Sequence, residues 1–178
     1  RVSLSPEVPE KPWDKLALDI LGPLEMRGNT KKFMFVLIAY NSHWICTRTV
    51  FNVTTKTVIE FLWDNFILEG IPSCLVTDNG VQFTSWEMKS FLEDLGIKHE
   101  RSALYCPEAN GRVERANHML KECIQTATAN GITVEKLFKN VLWSYHTTPN
   151  AITGIPPFVT LKGRKPCTKL CPSWLVGG

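Results

Sequence analysis

Asp19 stands in the middle of an apolar run, Leu16-Ala17-Leu18-Asp19-Ile20-Leu21. Such a run predicts a buried strand, and a carboxylate there is costly unless a cation or hydrogen-bond donors compensate it. The chain must therefore fold so that something meets this side chain. A second acidic residue, Asp78, ends another apolar run, Cys74-Leu75-Val76-Thr77, just before Asn79-Gly80. A third, Glu114, follows after 35 intervening residues, 79 to 113, inside a stretch of helical periodicity. Three carboxylates on two strands and a helix are expected to converge on hard divalent cations, which take oxygen ligands. Two such cations activate an attacking oxygen and stabilise the leaving one, which is chemistry suited to a phosphodiester. Plainer readings exist for each residue alone: Asp-Asn-Gly is a common turn signal, a helical Glu is usually solvated, and a strand Asp often pairs with a basic group or backbone donor.

The rest of the chain supplies a frame for these positions. Residues 1–12, with Pro6, Pro9 and Pro12, read as an extended lead-in. Strands are predicted at about 15–21, 33–40 and 43–50, with turns at Gly28-Asn29 and Asn41-Ser42. Thr54 is placed to cap a helix through about Leu68, with Val58, Phe61, Leu62 and Phe66 as its apolar positions. A short strand over 72–77 leads to Asp78. Thr84-Ser85-Trp86-Glu87 fits a capping box before a helix with Met88, Phe91, Leu92 and Leu95, and Ile97-Lys98-His99-Glu100 predicts a last strand. A long helix is expected from about Asn110 to Ala129, and Thr133 heads another. Strands first, then alternating strand and helix, then paired helices define an α/β layered fold with a mixed sheet.

The long helix has two distinct sides. Val113, Ala116, Leu120, Cys123, Ile124 and Ala127 share one face, a core stripe. Glu114, His118 and Lys121 share another, flanked by Arg112 and Arg115. This ridge suits a DNA backbone, and it equally suits a plain charged surface.

At 178 residues the chain is long enough for one domain with a sizeable core. No apolar run approaches the roughly 20 residues that span a membrane. Six cysteines, at 46, 74, 106, 123, 167 and 171, show no zinc-type pairing. Most sit in apolar segments, as free core thiols do, so a reduced, intracellular protein is expected. The net charge of +3 does not announce nucleic acid by itself. However, Glu135 is the last acidic residue, and Lys136, Lys139, Lys162, Arg164, Lys165 and Lys169 follow it. That one-signed tail reads either as a phosphate-contacting surface or as a solvated face.

Four blocks resemble the integrases of Ty3/gypsy-type retrotransposons and their retroviral relatives. Pro12-Trp13-Asp14 through Leu18-Asp19-Ile20-Leu21-Gly22-Pro23-Leu24 resembles the first, and Val76-Thr77-Asp78-Asn79-Gly80-Val81-Gln82-Phe83 the second. Asn110-Gly111-Arg112-Val113-Glu114-Arg115-Ala116-Asn117 resembles the third. The fourth is Tyr145-His146-Thr147-Thr148-Pro149 with Thr153-Gly154-Ile155-Pro156-Pro157-Phe158 and Gly163-Arg164-Lys165-Pro166. The resemblance implies a catalytic core over 13–166, a C-terminal tail over 167–178 and a ribonuclease-H-like fold, with a five-stranded mixed sheet flanked by helices.

It further implies a metal-dependent polynucleotidyl transferase acting by in-line transesterification. Asp19, Asp78 and Glu114 would be both catalytic residues and ligands of two Mg2+ or Mn2+ ions. Water first trims the ends of element DNA, and the freed 3′ hydroxyl then attacks target DNA. Asn110, Arg112, Arg115, His118 and Lys121 would contact DNA. A homodimer or higher multimer, a nuclear location and no membrane association go with this reading. The histidines at 43, 99, 118 and 146 cannot build the His-His-Cys-Cys zinc module that precedes such cores. Without metal, three neighbouring carboxylates repel, so a loosened site is expected.

The chain departs from the family where Tyr105-Cys106-Pro107-Glu108 replaces the usual Tyr-His-Pro-Gln, and where Ile38-Ala39-Tyr40 replaces Val-Asp-Tyr. Two alternatives stand beside this reading, and these changes favour the first of them. One is a host-domesticated integrase-like domain that binds DNA or a protein without turnover. The other is a stand-alone nuclease of similar fold.

Overall fold

The computed structural model describes residues 11–26, 29–101 and 107–167, with the backbone alone for residues 26 and 107–112. The lead-in over 1–10, the turn residue Gly28, the variant positions Tyr105 and Cys106 and the tail beyond 167 lie outside the described residues, as does the side chain of Glu108.

Three antiparallel strands come first: β1 (Lys15–Met26), β2 (Thr30–Ala39) and β3 (Ile45–Val50). Helix α1 (Thr55–Glu69) follows, capped by Thr54, whose hydroxyl accepts from the Thr57 amide. Strand β4 (Cys74–Thr77), helices α2 (Val81–Thr84) and α3 (Trp86–Asp94), and strand β5 (Lys98–Arg101) come next. Helices α4 (Pro107–Asn130), α5 (Val134–Thr147) and α6 (Pro157–Lys162) complete the described chain. The sheet order is β3-β2-β1-β4-β5, with β1–β4 and β4–β5 parallel and the other pairs antiparallel. This is the mixed five-stranded sheet flanked by helices that the sequence implied.

Some boundaries moved, for physical reasons. β1 continues past Leu21 because its ladder to β2 resumes at Leu24 after a bulge that leaves Gly22 and Pro23 unpaired. The cap of α3 is Ser85, which accepts from the Met88 amide, one residue after the expected Thr84. Thr84 instead closes the single turn α2, which no periodicity had marked. Helix α6 was also unanticipated, being only six residues long. Thr133 precedes α5 without a side-chain capping bond.

Alternation of side chains divides the core. On one face Leu16, Leu18, Phe35, Leu37 and Leu75 pack with Phe61 and Leu62 of α1 and Met88 and Leu92 of α3. On the other, Leu21, Met34, Val36 and Ile38 pack with Ala116, Leu120, Ile124 and Ala127 of α4 and Phe138 of α5. The expected core stripe of the long helix is therefore the surface that seats it on the sheet. Among the described residues no helix is long and apolar enough to cross a membrane. Cys46, Cys74, Cys123 and Cys167 carry free thiols. Burial pushes the Cys46 thiol up to about 12 and Cys74 to about 11, so both stay protonated near neutrality.

Candidate active site

Sheet register, rather than sequence proximity, brings the strands associated with the two aspartates side by side. In the parallel ladder Lys15 pairs with Cys74, Leu16 with Leu75 and Ala17 with Val76. That ladder ends at Ala17 and Val76; Asp19 stands two residues further along β1, and Asp78 directly follows the end of β4. Alternation fixes the face. Ala17 and Val76 lie on the α4 side, packed with Val113 of that helix, and Asp19, two residues after Ala17 within β1, faces the same way. The ion pair Lys15–Glu100, 3.4 Å, on the same face supports this parity.

Helix α4 brings the third carboxylate over this face. Asn117 donates from Nδ2 to Asp19 Oδ2 at 2.6 Å, which fixes where the helix crosses β1. Glu114 lies three residues earlier, so it shares that side of the helix and stays exposed. Asp19 is half-buried, and its other oxygen accepts from the Ile20 amide at 2.9 Å. Asp78 is exposed, and its Oδ1 accepts from the Gly80 amide at 2.8 Å, a tight Asx turn. A Cβ at Gly80 would lie 3.0 Å from Asp78 Oδ1 and 2.5 Å from Gln82 Nε2, so a larger residue there would push the Gln82 side chain aside. Behind Asp78 the buried Thr77 hydroxyl sits 2.7 Å from His99 Nε2 and 3.0 Å from the Asp78 carbonyl oxygen, tying the strand end to β5. Burial, and then Arg101, hold the His99 ring below its ordinary range, favouring the neutral form.

As the side chains stand, no three His, Cys, Asp or Glu groups among the described residues are clustered to hold an ion. Both aspartates spend oxygens on internal donors. The donor set nevertheless fits a hard divalent ion. It consists of carboxylate oxygens on one face, beside a turn that a Cβ would fill and next to the Asn117 amide oxygen, which is buried without a hydrogen-bond partner.

Of the five expected DNA contacts, the three with described side chains, Arg115, His118 and Lys121, have different surroundings. Lys121 lines a groove of about 410 Å3 with Asp19, Leu21, Pro23 and Gln125. Arg115 lines a different cavity, about 480 Å3, on the α5 side of the helix with Met119, Tyr145 and Asn150. His118 is exposed and lies 3.7 Å from Glu122, one turn along. Asn110 and Arg112 fall in the first turns of α4, where side chains are outside the described residues.

Residues 9–107 match the family described as Integrase core domain, more than half of the chain. The chain belongs to the integrase core domain family. An uncharacterized protein of Caenorhabditis elegans is 31% identical over 166 residues, 92% of this chain and 13% of that protein. The retrovirus-related Pol polyprotein from transposon 412 of Drosophila melanogaster is 24% identical over 160 residues, 89% of this chain and 13% of the polyprotein. This integrase core thus spans a small part of the relatives it matches. Its fold is shared with the HTLV-2 integrase catalytic core domain solved in complex with magnesium, at a TM-score of 0.70 and 19% identity, covering 85% of this chain and 97% of that one. The family match ends before Glu114, so that residue rests on the third block and on the geometry of α4.

Sequence reasoning passed over three residues of this neighbourhood: Asn117, Thr77 and His99. Asn117 lay in the third block, three residues after Glu114, which was the available signal. Its partner is 98 residues away, and no local pattern names it.

Proposed function

We propose that this chain is the catalytic core of a DNA integrase, a metal-dependent polynucleotidyl transferase that processes DNA 3′ ends and joins them to target DNA. One observation carries the reading: Asp19 on β1 is bonded to the helix bearing Glu114, and the parallel β1–β4 ladder brings the strand that leads to Asp78 alongside β1. Asp19 and Asp78 would hold two Mg2+ or Mn2+ ions, and Glu114 would complete the coordination of one. When bound, such ions polarise the phosphodiester and lower the pKa of an attacking water. Lys121, across the groove from Pro23, holds a phosphate next to Asp19. The Gly80 turn and the Thr77–His99 contact keep Asp78 at the strand end. Assembly as a dimer or higher multimer on element and target DNA, in the nucleus, accompanies this activity.

The test is a strand-transfer assay with labelled DNA ends in manganese and in magnesium. Joined products that vanish in Asp78→Asn are expected. Hydrolysis without joining would assign a nuclease instead. Salt-dependent DNA binding with no product in either metal would overturn the enzymatic reading in favour of a binding domain without turnover.

A further inference from the structure

We propose that the cavity on the α5 flank of α4 binds a small organic monocarboxylate with an apolar body. Asp19, Asp78 and Glu114 do not line it, so it is a separate site, independent of any ion they hold. Its volume of about 480 Å3 falls within the range of small-molecule sites, about 300–1,000 Å3. Met119 of α4 lines one side, Val141 and Tyr145 of α5 another, and residues 148–152 with Pro157 of α6 a third. This last wall comes from the fourth sequence block, which the carboxylate site leaves unused. It holds its own shape. Asn150 Oδ1 accepts from the Ile152 amide at 2.9 Å and from the Thr153 amide at 3.3 Å. The Asn150 amide donates to the Ile155 carbonyl oxygen at 3.1 Å, and the Gly154 amide to the Asn150 carbonyl oxygen at 2.7 Å. Thr148 is tied back to the Ser144 carbonyl oxygen through its amide, 3.0 Å, and its hydroxyl, 2.6 Å. The wall is formed before any ligand arrives, which lowers the ordering cost of binding.

The lining states the chemistry of the occupant. Met119, Val141, Ile152 and Pro157 offer apolar surface, so the body of the ligand is apolar. Charge is one-signed: among the described residues Arg115 is the one permanently charged side chain of the lining, and no Asp or Glu belongs to it. Arg115 is exposed, so the charged end of a ligand stays near water while its body enters. A guanidinium presents five N–H donors in a planar fork matched to a carboxylate, enough to serve a ligand alongside a contact within the protein. Tyr145 adds a phenol. Burial pushes its pKa up to about 12, so the hydroxyl remains a proton donor at neutral pH. One guanidinium neutralises one negative charge. A dianion such as phosphate would leave a second charge uncompensated beside apolar walls, which is costly.

Chemical-shift titration of the whole chain with indole-3-acetate, an apolar ring carrying one carboxylate, tests this with no dependence on turnover. Saturable shifts at Arg115, Tyr145 and Ile152 are expected at millimolar concentration. Hydrogen bonds to a charged group are worth about ten-fold or more in affinity. Arg115→Gln, and separately the neutral probe indole-3-acetamide, should therefore each weaken binding at least about ten-fold. An absence of saturable shifts at these residues overturns the site. Affinity within about two-fold of the indole-3-acetate value, for the variant or for the amide, overturns the anionic class. Should Arg115→Gln fail to fold, the amide probe on the wild type decides alone. Acetyl-glycyl-tryptophan offers the same carboxylate as a chain terminus. Binding no tighter than that of indole-3-acetate supports a small-molecule site, and binding about ten-fold tighter overturns that source in favour of a peptide end.

Discussion

Trp44 lies flat against His146, with ring centroids 3.6 Å apart and planes 5° from parallel. His146 is buried at the end of α5, and its Nε2 accepts from the Ile45 amide at 3.1 Å. Phe158 of α6 meets the Trp44 ring at a tilt, with centroids 6.1 Å apart and planes 57° from parallel, and Lys162 lies over the Trp44 ring while pairing with Glu69. One neutral imidazole thus joins β3, α5 and α6.

Burial lowers the His146 pKa from 6.5 to about 4, partly countered by the Ile45 hydrogen bond. The folded value is the depressed one, so the unfolded chain takes up the proton first as pH falls. Stability from this residue is whole above about pH 6.5 and declines toward pH 4, by an order of magnitude of about 3 kcal/mol across that window. Melting temperature should fall between pH 6.5 and 5 in the wild type. His146→Gln, which keeps an acceptor and does not titrate, should flatten that slope. Equal slopes in both proteins would show that His146 is not the titrating group.

Lys121 and Arg115 lie on opposite flanks of α4, in the groove beside Asp19 and in the cavity toward α5. Only the first borders the proposed scissile phosphate. Lys121→Ala should weaken DNA binding at all sequences and reduce the salt slope by about one counterion. Arg115→Ala should have the smaller effect on that slope. Duplex titrations at two salt concentrations measure both, and a larger loss from Arg115→Ala would move the DNA path to the α5 side.

Gly22 sits in the bulge three residues after Asp19 with φ +132°. A Cβ there would lie 2.9 Å from Phe33 Cδ1 and 3.1 Å from the Lys32 carbonyl oxygen. Gly22→Ala combines a disfavoured backbone with a clash, so a loss of about 1–3 kcal/mol is expected in denaturant unfolding. Because the bulge floors the groove beside Asp19, DNA affinity should fall as well. An unchanged midpoint would mean that β1 relaxes freely at this point.

Cations that bind only the folded carboxylates stabilise the fold by mass action. Magnesium at about 100 times its dissociation constant should add about 2.7 kcal/mol, visible as several degrees in melting temperature. Asp78→Asn should remove most of that gain without loss of the metal-free fold, since Asp78 is exposed and its side chain accepts from the Gly80 amide within a local turn. An equal gain in the variant would place the ion elsewhere.

Local chemistry was readable in the sequence because its causes are local. The cap at Thr54, the apolar faces of α1 and α4 and the strand ahead of Asp78 follow from residues a few positions apart. So did the need for something to meet Asp19, since a carboxylate in an apolar strand is costly by itself. What meets it was decided only in three dimensions. The β1–β4 ladder brings the strand that leads to Asp78 alongside the one that holds Asp19, and the seating of Ala116 and Leu120 on the sheet delivers Asn117 to Asp19. The separation of Arg115 from Lys121 has the same origin. A helix ridge drawn from spacing alone has no neighbours, and packing against β1 on one flank and α5 on the other gives each cation a different cavity. Periodicity states which residues share a face; only long-range packing states what that face meets.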